Sequence, residues 1–249
     1  MQVWGYAIVS VLIVSVVSLV GIVALLLHRQ WFDTLPLVLV SFSAGTLFGD
    51  ALIHLLPEAF QTLGMGLAAS LWVMLGILGF FVLEQFIRWR HCHLPPTEAH
   101  PHPMVATNLF GDGVHNFIDG LVIGASYLVS IPIGIATTMA IVFHEIPQEL
   151  GDFGVLLHGG MSVSQALLCN FLTALTAIAG MILSLTVGTH VLHYADIMVP
   201  IAAGGFLYIA GTDLIPALHQ EVGRSNAFLQ LTAMILGFGV MVLLKIWSR

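Results

Sequence analysis

Asp112-Gly113-Val114-His115-Asn116-Phe117-Ile118-Asp119 and His144-Glu145-Ile146-Pro147-Gln148-Glu149-Leu150-Gly151-Asp152 are two polar, metal-competent stretches lying within apolar surroundings. On an α-helix, Asp112, His115, Asn116 and Asp119 recur at i, i+3, i+4 and i+7 and share one face. His144, Glu145, Gln148, Glu149 and Asp152 form a second stripe at i, i+1, i+4, i+5 and i+8. Around them lie Leu121, Val122, Ile123, Ile133, Ile135, Met139, Ile141 and Val142, a setting suited to lipid. Two helices, each with a polar face, are the expectation for this region.

The rest of the composition sets the solvent. The chain has 249 residues, of which 58% are hydrophobic and only 8% charged, with a mean hydropathy of +1.01. A soluble domain carries roughly 25% charged residues, so the fold class is all-α, a polytopic membrane protein partnered by the bilayer. The formal charge of -7 does not describe a soluble acidic surface, because several of the 13 acids fall inside apolar segments. No nucleic-acid partner is expected. Cys92 and Cys169 lie far apart without CxxC spacing and read as isolated thiols.

Eight apolar runs are long enough to cross a hydrocarbon core of about 30 Å: residues 3–27, 35–60, 67–87, 104–130, 132–158, 163–187, 197–218 and 227–246. They form one transmembrane domain over 1–249. The first run lacks a basic n-region and is too long for a typical signal-peptide core. Residues 91–103, with four histidines and four prolines, read as a flexible loop that either binds metal weakly or is a plain solvated linker. Eight crossings put both termini on one side. Arg29, Arg88, Arg90 and Arg224 follow odd-numbered spans, which places those loops and the His-rich segment in the cytoplasm and both termini outside, in a cell (inner) membrane.

An ionised group at the bilayer centre costs about 2.5–3.5 kcal/mol on insertion scales. Asp119, Glu145, Glu149 and Asp152 therefore need compensation, and no Lys or Arg occurs between Arg90 and Arg224. A cation answers that need. Imidazoles with carboxylates suit Zn2+, with Fe2+, Mn2+ or Cd2+ as other candidates, and argue against a Mg2+ or Ca2+ site. His115, Asp119, His144 and Gln148 can grip one ion, with Asn116 and Glu145 beside them for a second. Asn116 also fits a plain interhelical hydrogen bond, and Asp112 and Asp152 fit helix ends that meet water. In the second run Asp50, His54 and Glu58 recur at i, i+4 and i+8 and share a face, with His54 and Glu58 as functional residues or as a helix end emerging into water. Pro147 cannot donate to the carbonyl of Phe143, so the fifth helix is expected to kink within its polar stripe and free that carbonyl.

The pair His115-Asn116-Phe117-Ile118-Asp119-Gly120 and His144-Glu145-Ile146-Pro147-Gln148-Glu149-Leu150-Gly151-Asp152-Phe153 resembles the signature motifs of the ZIP family of metal transporters, most closely its LIV-1-type branch, here of prokaryotic type. The resemblance covers essentially the whole chain. It implies a 3+2+3 bundle with inverted repeats around spans four and five, usually a homodimer. It also implies uptake of zinc or a related divalent ion into the cytoplasm through a binuclear centre between those two spans. Carried over by position, the first site uses His115, Asp119, His144 and Gln148, with a contribution from His54. The second uses Asn116, Glu145 and Asn170, with Asp119 and Gln148 bridging and Glu149 as an added ligand. Glu58, Asp213 and Glu221 line the route. The LIV-1 pattern has a second histidine where this chain has Gln148.

Two other classes compete. An intramembrane metalloprotease needs two histidines four apart with a glutamate as base, whereas this chain has His144, Gln148 and a helix-kinking Pro147. A metal-selective channel or sensor would use the same ligands as a carrier.

Overall fold

In a computed structural model, the chain is described over residues 2–22, 35–89, 103–219 and 224–247. Among the described residues the fold is all-α, eight helices without strands. They are α1 (Gln2–Val20), α2 (Leu35–Leu63), α3 (Leu67–Trp89), α4 (Pro103–Val129), α5 (Ile131–His158), α6 (Val163–Gly188), α7 (Tyr194–His219) and α8 (Arg224–Trp247). Among the described residues six, α1 to α3 and α6 to α8, are long and apolar enough to cross a membrane. The other two, α4 and α5, have 27 and 28 residues, or about 40 Å at 1.5 Å per residue; their polar stripes lower their apolar content. Most of the expected loop at 91–103 lies outside the described residues, but Pro103 opens α4, as proline's fixed φ favours at a helix start. The eighth helix starts earlier than the apolar run read from residue 227, at Arg224.

The bundle's outward faces are apolar. Leu75, Leu78, Phe81 and Val82 of α3, and Leu231, Ile235, Leu236 and Leu243 of α8, are all exposed. A large exposed apolar surface on a helical bundle is what lipid solvates and water does not. Burial falls in matched pairs: 56% of the apolar window of α2 and of α7 is buried, 33% for α1 and for α6, but 11% for α3 and 17% for α8. Helices α4 and α5 pack on each other at the centre, α4 against α6 and α7, and α5 against α2 and α1.

This pairing reflects an internal repeat. In α2, Ala44-Gly45, Ala51, Leu55 and Pro57 correspond, 159 positions later, to Ala203-Gly204, Ala210, Leu214 and Pro216 in α7. Both helices widen into a π turn ahead of the proline, over Ala51–Leu55 and Ala210–Leu214. There the amides of Leu56 and Ile215 bond to the carbonyls of Ala51 and Ala210, five residues back. A proline cannot donate to the carbonyl four residues earlier, and its ring crowds it; a widened turn accommodates that change. The close helix contacts repeat as well. A Cβ on Gly45 would lie 2.2 Å from the carbonyl oxygen of Met234 in α8, and one on Gly204 would lie 2.1 Å from that of Val73 in α3. The second and seventh helices of an up-and-down bundle run in opposite senses, so the repeat is inverted. Helices α4 and α5 lie between its halves.

The carbonyl that Pro147 leaves free has a partner. Ser43 of α2 donates its hydroxyl to the freed carbonyl of Phe143 at 2.5 Å, and the rings of Phe42 and Phe143 meet edge to face with centroids 4.8 Å apart. The seam that binds α2 to α5 is thereby set one residue before His144.

Candidate metal centre

The antiparallel contact of α4 and α5 brings the two stripes together in register. On α4 the side chains are met in the order Asp119, His115, Asp112, Asn108; on α5 they face His144, Glu145, then Glu149 and Asp152. Asn108 Nδ2 donates to Asp152 Oδ1 at 2.6 Å, the last rung of this ladder.

At its centre His115 Nε2 stands 3.2 Å from His144 Nε2, 3.4 Å from Glu145 Oε1 and 3.8 Å from Asp119 Oδ2. His144 Nε2 is 3.3 Å from Asp119 Oδ2 and 3.5 Å from Glu145 Oε1. Neighbouring ligands of a tetrahedral ion with bonds of about 2.0–2.1 Å are about 3.3–3.4 Å apart. These atoms are spaced as ligands of one cation. The Nδ1 of His144 lies 3.1 Å from the carbonyl of Ala140. A carbonyl only accepts, so Nδ1 carries the proton and Nε2 keeps its lone pair for a metal. Asp119 Oδ2 and both carboxylate oxygens of Glu145 are buried without a hydrogen-bond partner among the described residues, although unpaired acceptors at this depth are costly.

Gln148 lines a cavity of about 410 Å³ together with His115, His144, Asp112, Asp152 and Asp213. It shares the wall of this cavity with both histidines, and the cavity extends past Glu84 of α3 and Tyr208 of α7, where the Tyr208 hydroxyl donates to the Glu84 carboxylate. His54 lies elsewhere: its Nδ1 is 3.2 Å from Asp50 Oδ1, and Asp50 accepts from Thr137 of α5 at 3.0 Å, two helical turns before His144. The i, i+4 spacing on α2 sets His54 beside Asp50, and it is not among the central four. Glu58 is half-buried near the end of α2, and Asp213 is exposed on the π turn of α7. Glu221 lies outside the described residues.

The expected second site is distributed differently. Glu145 joins the histidine cluster. Asn116 donates to Asp112 Oδ1 at 2.7 Å, and Asn170 of α6 donates to the backbone carbonyl of Glu149 at 3.2 Å. A separate cluster of Asp112, Glu149 and Asp152 results, with one oxygen of each within 4.8 Å of the others. Thr173, on the α6 turn before its break at Leu175, donates to the other Asp112 oxygen. Sequence reading missed Asn108 and Thr173, whereas Asp50 shares the face of His54 that the spacing of the second run predicts. Asn108 could have been found, since it continues the stripe four residues before Asp112; Thr173 could not, because its contact depends on how α6 crosses α4.

The sequence profile of the ZIP zinc transporter family matches residues 1–107 and 96–245, nearly the whole chain. The chain belongs to the ZIP zinc transporter family. Metal cation symporter ZIP14 of Xenopus tropicalis is 30% identical to it over 99% of this chain and 70% of that protein. Zinc transporter ZIP10 of Danio rerio is 42% identical over 56% of this chain, and zinc transporter ZIP6 of Homo sapiens is 40% identical over 57%. The chain spans 17% of the length of the former and 20% of the latter. As a ZIP family member it is a multi-pass membrane protein, and its central four-residue cluster lies on the two helices that carry the polar stripes.

Proposed function

We propose that this protein carries divalent transition-metal ions across a membrane, zinc foremost, with Fe2+, Mn2+ and Cd2+ as further substrates. The observation that carries this reading is the four ligand atoms of His115, Asp119, His144 and Glu145, set at the separations of one tetrahedral ion. Family membership supports it, since similar proteins are named zinc transporters and metal cation symporters.

In this reading the ion reaches the four ligands through the cavity lined by Gln148, Asp112 and Asp152, and Asp213 and Glu58 belong to its route. Deep in the bundle the ligands replace its water shell. The inverted repeat supports an alternating-access carrier, in which one block of helices moves against the other so that the site faces each side in turn. The distribution of arginines supports outward termini and uptake into the cytoplasm across a cell (inner) membrane. A homodimer is part of the same reading, on the family resemblance. The protein is then a transporter and not an enzyme: at the second protease-ligand position stands Gln148, and Pro147 distorts the helix that would present it.

The test is metal flux into proteoliposomes holding the purified protein, comparing Zn2+, Fe2+, Mn2+ and Cd2+, beside a His115→Ala plus Glu145→Ala variant. Flux by the parent that is lost in the variant is the expected result. Metal bound by the parent with no flux at all would overturn the transport reading.

A further inference from the structure

Beside the histidine cluster, toward the N-terminus of α4 and the C-terminus of α5, lies the set of carboxylates Asp112, Glu149 and Asp152. Asp112 and Glu149 are 4% and 1% exposed. Three carboxylates within 4.8 Å of one another, in a stretch of chain without Lys or Arg from Arg90 to Arg224, repel each other unless something positive sits among them.

The hydrogen bonds around them do not supply it. Asn108, Asn116 and Thr173 donate to Asp152 and Asp112, but both oxygens of Glu149 are buried with no hydrogen-bond partner among the described residues. The amide oxygens of Asn116 and Asn170, residues with no exposed surface, are likewise unpartnered. Asn116 turns its nitrogen to Asp112 and Asn170 turns its nitrogen to the Glu149 backbone, so both amide oxygens, like the Glu149 carboxylate, are buried acceptors without a donor among the described residues. A buried group of acceptors without donors is the arrangement that a cation satisfies.

We propose that Asp112, Glu149 and Asp152 form a second divalent-cation site, coordinated by oxygen alone and better suited than the histidine cluster to harder ions of the Mn2+ type. It contrasts with the central cluster, which offers two imidazoles. Without an imidazole or thiolate among its donors, the carboxylate site discriminates less strongly for Zn2+ than the central cluster does, and carboxylates and amide carbonyls are the donors Mn2+ takes. Asp112 precedes His115 by three residues and Glu149 follows Glu145 by four, so the two sites are about 4.5–6 Å apart along the helices at 1.5 Å per residue. Asp112 and Asp152 open onto the same cavity as His115 and His144, through which an ion can enter. The inference deepens the transport reading by adding a station with different ion chemistry, and it rests on that reading only for its position on a route.

The experiment measures binding alone. Purified full-length protein in lipid nanodiscs is stripped of metal and titrated with Mn2+, with free Mn2+ read by electron paramagnetic resonance. A Glu149→Gln plus Asp152→Asn variant and a His115→Ala plus His144→Ala variant are titrated in parallel. The expected result is Mn2+ binding kept in the histidine variant and weakened by more than about tenfold in the carboxylate variant, which still takes up Zn2+ in competition with a chromogenic chelator. Mn2+ binding unchanged in the carboxylate variant, as protons shared among the acids would produce, overturns the proposal, and so does Mn2+ binding lost in the histidine variant. Should the double carboxylate variant fail to bind either ion, Asp152→Asn alone decides: weaker Mn2+ with Zn2+ retained supports the site, and unchanged Mn2+ overturns it. Absence of flux with Mn2+ still bound would count against transport and leave this site standing.

Discussion

His115 Nε2 on α4 and His144 Nε2 on α5 stand 3.2 Å apart, with their rings edge to face at 75°. This is the separation of two ligands on one ion, and it is held by backbone on both sides: the i, i+4 geometry of α4 sets His115 over Asp119, and the Ala140 carbonyl orients His144. Coordination needs both imidazoles neutral and both carboxylates ionised, so protons compete with metal. Zn2+ affinity is expected to fall as pH is lowered, because protons compete with the metal for its ligand atoms. A His144→Ala variant is expected to bind Zn2+ more weakly than the parent at every pH, since one of the four ligand atoms is gone. Isothermal titration with Zn2+ at several pH values checks this, and a flat profile for the parent would contradict it.

Gln148 stands four residues after His144 on the wall of the same cavity. An amide oxygen is a poorer ligand for a borderline ion than an imidazole. Gln148→His is expected to raise Zn2+ affinity on the order of tenfold, with a smaller gain for Mn2+, since the added nitrogen favours the softer ion. Competition against a chelating dye for the two ions measures the change in ratio.

Ser43 and Pro147 form a coupled pair although they do not bond to each other. Pro147 removes the amide that would bond to the Phe143 carbonyl, and the Ser43 hydroxyl replaces it. Ser43→Ala leaves a buried acceptor unpaired and is expected to cost about 1–3 kcal/mol. In a Pro147→Ala background residue 147 regains its own N–H, so the effect of Ser43→Ala should nearly vanish. A double-mutant cycle on thermal unfolding in detergent reads this coupling; two additive effects would sink the account.

Gly45 and Gly204 occupy matched positions at which a side chain would strike the backbone of the neighbouring helix. Gly45→Ala and Gly204→Ala are each expected to lower stability by about 1–3 kcal/mol through overpacking. Gly79 is the control, since a Cβ there meets nothing within 4 Å. Gly79→Ala in the interior of α3 is expected to be neutral or slightly stabilising. Fluorescence-detected melting of the three variants tests the contrast, and equal effects at all three would refute it.

Sequence alone determined the number and approximate bounds of the helices, because 20-residue apolar runs, prolines and glycines are local signals that lipid makes strict. It also determined that α4 and α5 carry metal-competent faces and that Pro147 frees a carbonyl, since i, i+4 spacing and proline's missing N–H are properties of a single helix. The tertiary structure decided what no single helix contains. The antiparallel register of α4 on α5 drew Glu145 into the histidine cluster and set Asp112 against Glu149 and Asp152. The crossing of α6 brought Thr173 to Asp112, and the packing of α2 on α5 set Asp50 against Thr137. Which ligands share an ion depends on distances between helices, and those follow from side-chain packing, with bare glycines where the backbones nearly touch.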